Sequence, residues 1–128
     1  MSAISDYLEN ALLNAVFRNV PYTSPASVYI ALYTSDPTDA DTGVEVSGGG
    51  YERQPVTFNA PTNGQMTNSG DVIFPVATAD WGTITHIGLR DAPIGGNLLY
   101  HAPLNINKTI LSGDQLIFKT GEIVISLD

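Results

Sequence analysis

The segment from Ser5 to Asn19 carries a helical repeat, and the chain then passes into a strand whose two faces are both apolar, Val28 to Tyr33. Ile4, Leu8, Ala11, Leu12, Ala15 and Val16 recur at three- and four-residue steps, which predicts an amphipathic helix. Ser5 stands where a side-chain cap is needed, and Asp6 and Glu9 oppose the positive end of the helix dipole. Leu13 and Phe17 lie four apart and off the main stripe, giving the helix a second apolar edge that either packs on a sheet or docks on a neighbouring chain. In the strand, Val28, Ile30 and Leu32 alternate with Tyr29, Ala31 and Tyr33, so a central position covered on both sides is expected.

Beyond Tyr33 the patterning is β throughout. A polar, acidic connection from Ser35 to Gly50 comes first, and connections of that length inside a compact domain are usually functional or mobile. Short strand-like runs then alternate with breakers: Tyr51 to Phe58, Gln65 to Thr67, Asp71 to Phe74, Thr83 to Arg90, Asn97 to Pro103, Ile106 to Ile110, Gln115 to Phe118 and Glu122 to Leu127. Asn105 to Lys108 interrupts a strand or lies at its edge, and Val124 to Leu127 has apolar residues facing both ways, which predicts a buried C-terminus. No helices alternate with these strands, which argues against a parallel α/β architecture. The expectation is one mainly β domain over residues 1–128: a helix within 1–20, then an antiparallel β-sandwich or jelly-roll-like module over 27–128 with an acidic loop at 35–50.

A chain of 128 residues can bury roughly two thirds of its unfolded surface, enough for one core without metal or disulfide. Its net charge of −8 repels phosphate backbones, no basic cluster offsets it, and nucleic-acid binding is not expected. Only 14% of residues are charged, below the quarter of an ordinary soluble domain, as expected where neutral surface makes large contacts. Cysteine is absent, so disulfides and thiolate metal sites are excluded. Met1 to Asp6 lacks the basic and apolar regions of a signal peptide, and no apolar run is long enough to span a bilayer as a helix.

Residues that could carry chemistry are sparse. Asp36, Asp39, Asp41 and Glu45 offer oxygen ligands and Gly43 permits a sharp turn, but the spacing departs from a calcium-binding EF-hand, and a solvated acidic loop is the plainer reading. His86 and His101 could meet across a sheet, yet no third ligand stands near either at metal spacing, so both read as face-packing or interface histidines. There is no G-x-S-x-G elbow and no Cys–His pair. Gly48-Gly49-Gly50 lacks a phosphate-binding lysine, and Asn107-Lys108-Thr109 matches a glycosylation acceptor only on a secretory route. Trp81, between Asp80 and Gly82, could be a sugar-stacking platform, but a lone tryptophan in a β protein more often belongs to the core or an interface. The chain is expected to be no enzyme and to hold no cofactor or metal.

Several runs resemble a family of small tailed-phage virion proteins. They are Leu8 to Asn14, Val28 to Thr38, Gly48 to Val56, Phe74 to Ala77, Asp80-Trp81-Gly82, Ile87-Gly88-Leu89, Gly95 to Tyr100 and Gly113 to Leu116, which together span nearly the whole chain. Members are described as head decoration proteins or as tail fibre proteins. The resemblance implies virion structure, β-rich folding and self-association, often as trimers, with assembly in the host cytoplasm. The favoured role is a capsid decoration or cement protein on the capsid surface, with the major capsid protein as partner. The alternative is a tail or tail-fibre component that binds a host surface glycan. On either role, Leu13, Phe17, Asp36, Asp39, Asp41, Val44, Tyr51 and Trp81 are the expected contact residues.

Overall fold

The computed structural model describes residues 3–127; Met1, Ser2 and Asp128, placed at the flanks of the expected domain, lie outside the described residues. The chain is mainly β, with one helix near its N-terminus. After a short strand β1 (Ala3–Ile4), helix α1 covers Asp6–Phe17. Strands follow as β2 (Val28–Tyr33), β3 (Gln54–Val56), β4 (Gln65–Thr67), β5 (Val72–Ile73), β6 (Gly82–Arg90), β7 (Leu98–Ile110), β8 (Ile117–Phe118) and β9 (Val124–Ser126).

An antiparallel sheet in the order β1-β7-β6-β2-β3 forms the frame, and two short ladders, β4–β9 and β5–β8, make the opposing layer. Ile30 and Leu32 of β2 and Ile84, Ile87 and Leu89 of β6 meet Val72, Phe118 and Ile125 of the ladders in one buried core. This is the sandwich-like arrangement that the alternation predicts. Burying these side chains at about 25 cal/mol per Å² of apolar area is the main stabilising term.

Strand β2 is central, between β6 and β3, and Ile30, Ala31, Leu32 and Tyr33 are all buried. Pro55 lies on the marginal strand β3, where its missing N–H costs no ladder bond on the outer side. Ser5 caps α1 as expected, its Oγ accepting the Leu8 N–H at 3.2 Å and donating to the Leu98 carbonyl.

Three elements differ from expectation. The runs 97–103 and 106–110 are one long strand, β7. Its register against β6 slips between Ile84 and His86, so Leu104 to Asn107 are absorbed as an irregularity instead of a break. Tyr51 to Phe58 shortens to β3, because Tyr51 turns its ring into the core. The C-terminal strand buries one face only: Ile125 is covered, while Val124 and Ser126 are exposed, and Leu127 just past its end is exposed as well. It pairs with β4 in a two-stranded ladder whose inner face, at Ile125, meets the core. Among the described residues no helix is long and apolar enough to cross a membrane.

Candidate interface regions

Antiparallel pairing of β2, β6 and β7 sets Tyr33, His86, Gly88, Arg90, Leu98 and His101 on the sheet face turned away from the core. Two of these groups carry buried polarity, Arg90 and His101. The acidic loop folds back over this face and supplies their partners. Arg90 makes a two-pronged pair with Asp41, Nη1 to Oδ1 at 2.8 Å and Nη2 to Oδ2 at 2.9 Å, and also donates to the Tyr33 hydroxyl and the Gly96 carbonyl. Burial by itself would depress the Arg90 pKa, but Asp41 and Tyr33 outweigh it and the guanidinium is held well above its ordinary value. His101 Nε2 lies 2.8 Å from Asp39 Oδ1.

Glu45 continues the same pattern. Its carboxylate takes two bonds from Arg53, each 2.8 Å, and one from the Tyr51 hydroxyl, which in turn accepts the Leu32 N–H. Burial pushes the Glu45 pKa up, yet the Arg53 and Tyr51 hydrogen bonds prevail and hold it below the ordinary carboxylate range. Asp36 accepts the Thr38 N–H at 2.9 Å, the main reason its carboxyl also lies low. Main-chain bonds complete the closure: Thr34 N–H to the Val44 carbonyl, Val46 N–H to the Leu32 carbonyl, and Asp6 N–H to the Asp39 carbonyl. Gly43 is required because a Cβ there would stand 2.6 Å from Pro37 Cα.

The carboxylates of Asp36, Asp39, Asp41 and Glu45 therefore do not converge as a calcium loop. Each is turned to a separate donor. Nor is 35–50 a loose solvated arm; it is a strap pinned to the sheet, and the sequence held the matching partners in Arg53, Arg90 and His101 with nothing to say which would lie beneath it. A different carboxylate group does come together, Asp6, Glu9 and Asp39, at the N-terminus of α1.

Trp81 and Tyr51 point inward. Trp81 is 5% exposed, its Nε1–H donates to the Gly49 carbonyl at 2.8 Å, and its ring meets Tyr51 edge-on at 5.5 Å and Phe74 at 6.5 Å. Gly49 has φ +60°, and a Cβ on it would press on the Trp81 ring at 2.9 Å, so the glycine lets the strap come down on the indole. No face of Trp81 is free to stack on a sugar.

The other margin of the sheet is apolar and bare. Helix α1 has no buried residue. Leu13 is 56% and Phe17 77% exposed, and Val16 joins them, so the second apolar edge faces solvent. Val44, on the strap, is exposed as well. Between α1 and the sandwich lies an open groove of about 630 Å³ whose walls include Leu8, Leu12, Phe58, Met66, Tyr100 and Leu127, with no charged residue among its lining. The groove and the bare helix edge adjoin at Leu12.

A family model described as "Podophage GP4 fiber I protein gp80" matches residues 3–126. The chain belongs to this family. No curated protein matches it significantly. Membership of this fibre family makes the protein a component of the phage virion.

Proposed function

We propose that this protein is a tail-fibre component of a podophage virion, a non-enzymatic module that works through contact surfaces. The observation that carries the reading is the fibre-family match across residues 3–126, joined to an uncovered apolar helix edge and uncharged groove on a chain of net charge −8. Copies that repel one another at long range associate most readily where no charge has to be desolvated, and the groove and the Leu13–Phe17 edge supply that surface. Self-association, with the trimer as the working stoichiometry, belongs to this proposal.

Carboxylates used in hydrogen bonds to Arg53, Arg90 and His101 suit a structural or binding role better than acid–base chemistry. Recognition of a host surface glycan is retained as part of the fibre reading, with its contacts on side chains other than Trp81. The capsid-decoration role, with the major capsid protein as partner, rests on the resemblance to the wider virion group and has no further observation in its favour.

Electron cryomicroscopy of whole particles, with the protein located by a bound antibody fragment, tests the proposal. A few copies to a few dozen at the tail are expected; hundreds over the head would overturn it.

A further inference from the structure

Helix α1 ends in an apolar projection that carries unused acceptors. Leu13, Val16 and Phe17 are exposed along it, Val16 at 68%. Glu9 flanks this edge at its N-terminal end, and Arg18, next to Phe17, is drawn back to Asn14 Oδ1 by a 2.8 Å hydrogen bond. The last turn closes through one carbonyl: Asn14 accepts both the Arg18 and the Val20 N–H. Among the described residues no backbone N–H donates to the carbonyls of Ala15, Val16 and Phe17, and these oxygens carry the negative end of the helix dipole.

The groove between α1 and the sandwich holds the counterpart. Tyr100 forms part of its wall, and the Tyr100 hydroxyl is buried with no hydrogen-bond partner among the described residues. An unused donor thus stands in an apolar hollow, and unused acceptors stand on an apolar projection. A buried hydroxyl without an acceptor is destabilising, and a carbonyl brought to it relieves that cost.

We propose that the C-terminal turn of α1 in one copy docks in the groove of a second copy, with Val16 and Phe17 entering the groove and a last-turn carbonyl accepting the Tyr100 hydroxyl. The inference rests on the self-association within the fibre reading and names its two faces. A second copy is the occupant because the chain supplies both halves of the match, apolar against apolar and acceptor against donor. With a net charge of −8 on each copy, close approach is easiest where neither surface carries an acid; the turn Asn14–Phe17 and the groove lining both meet that condition. Edge and groove are different patches, so the contact is heterologous and closes into a ring or runs on as a filament. The two patches adjoin at Leu12, which puts both neighbours on one side of a subunit, so the ring closes with few copies, in keeping with three.

The test is sedimentation of full-length chains carrying Phe17→Asp, which charges the edge, or Leu127→Glu, which charges the groove at a residue already 54% exposed. Gln65→Glu, also in the groove lining, serves if Leu127→Glu does not fold, and each variant is read once its circular dichroism matches the parent. Each alone should stay monomeric where the parent associates. An equal mixture of the two should form a pair, because one intact edge then meets one intact groove. Tyr100→Phe should weaken association about 2–10-fold, with the melting temperature at monomeric dilution unchanged or higher. A mixture still monomeric at millimolar protein, or association that survives the groove variants, would overturn the docking mode and leave self-association standing. A parent that is monomeric at millimolar protein would remove self-association as well, while the tail location is decided separately by particle microscopy.

Discussion

The strap over residues 35–50 and helix α1 border the same sheet, and they are attached in opposite ways. The strap is polar and pinned along its length, with Asp39, Asp41 and Glu45 each on a cationic or imidazole partner and Val46 buried in the core. The helix is apolar on two edges, yet it is tied down chiefly at its first turn, through Ser5 and Asp6, and leaves Leu13, Val16 and Phe17 in solvent. Acidic residues that read as solvent-facing are the better anchored, and the apolar ones that read as core-facing are the freer. The difference teaches that the acidic side chains of the strap find their partners within the chain, while the apolar edge of the helix finds none there and stays in solvent.

Arg90→Ala attacks the pinned side and should have the largest effect, a loss of about 3 kcal/mol by chemical denaturation. It removes the guanidinium under Asp41 and strips the buried Tyr33 hydroxyl of its donor. A loss below about 1 kcal/mol would mean that the strap contributes little to the fold.

Acid should loosen the same region without mutation. His86, Glu45 and Asp36 all have folded pKa values below their ordinary 6.5, 4.5 and 3.8. A group depressed on folding stabilises fully above its unfolded value and loses that contribution as pH falls through its folded value. The melting temperature should therefore decline from pH 7, gently below 6.5 and more steeply below 4.5, as followed by circular dichroism. A profile that is flat or rising towards pH 4 would contradict the strap geometry.

On the helix side, Ser5→Ala removes the N-cap and the bond to the Leu98 carbonyl, and a loss of about 1–2 kcal/mol is expected. Hydrogen exchange should show the opening concentrated in α1, which beyond its first turn is held mainly by the packing of Leu8 on the core. Phe17→Ser should change monomer stability least, by under about 0.5 kcal/mol, because its ring is already in water. The same substitution should weaken self-association in analytical ultracentrifugation. An unchanged sedimentation profile would leave the helix edge without its proposed role.

Much of the architecture was legible because it depends on periods of two and 3.6 residues. Helix α1 with its Ser5 cap, the central place of β2, and β4 at Gln65–Thr67 all follow from local pattern. The merging of two runs into β7 was not legible, since a strand can absorb polar residues such as Asn105 and Asn107 at a register slip without ending. The strap was misread for a related reason. Aspartates spaced through a glycine-rich segment look solvated until their partners are known, and those partners lie 49 residues away for Asp41–Arg90 and 62 for Asp39–His101. Trp81 resolves the other way: the preference of a lone tryptophan for the core holds, and its N–H finds Gly49 on the strap.

The sequence by itself determined a β-rich chain with a capped leading helix, an excess of acidic over basic residues that repels phosphate backbones, and the likeness to phage virion proteins. Those follow from composition and short-range order, which need no knowledge of distant neighbours. Only the tertiary structure decided that the acidic segment is a strap and that the second helix edge stays bare. It also decided that two histidines which seemed isolated in sequence share one carboxylate. The physical reason is that pairing of β2, β6 and β7 converts sequence separations of tens of residues into contacts of 3–4 Å, and no local pattern encodes which loop will return to cover which face.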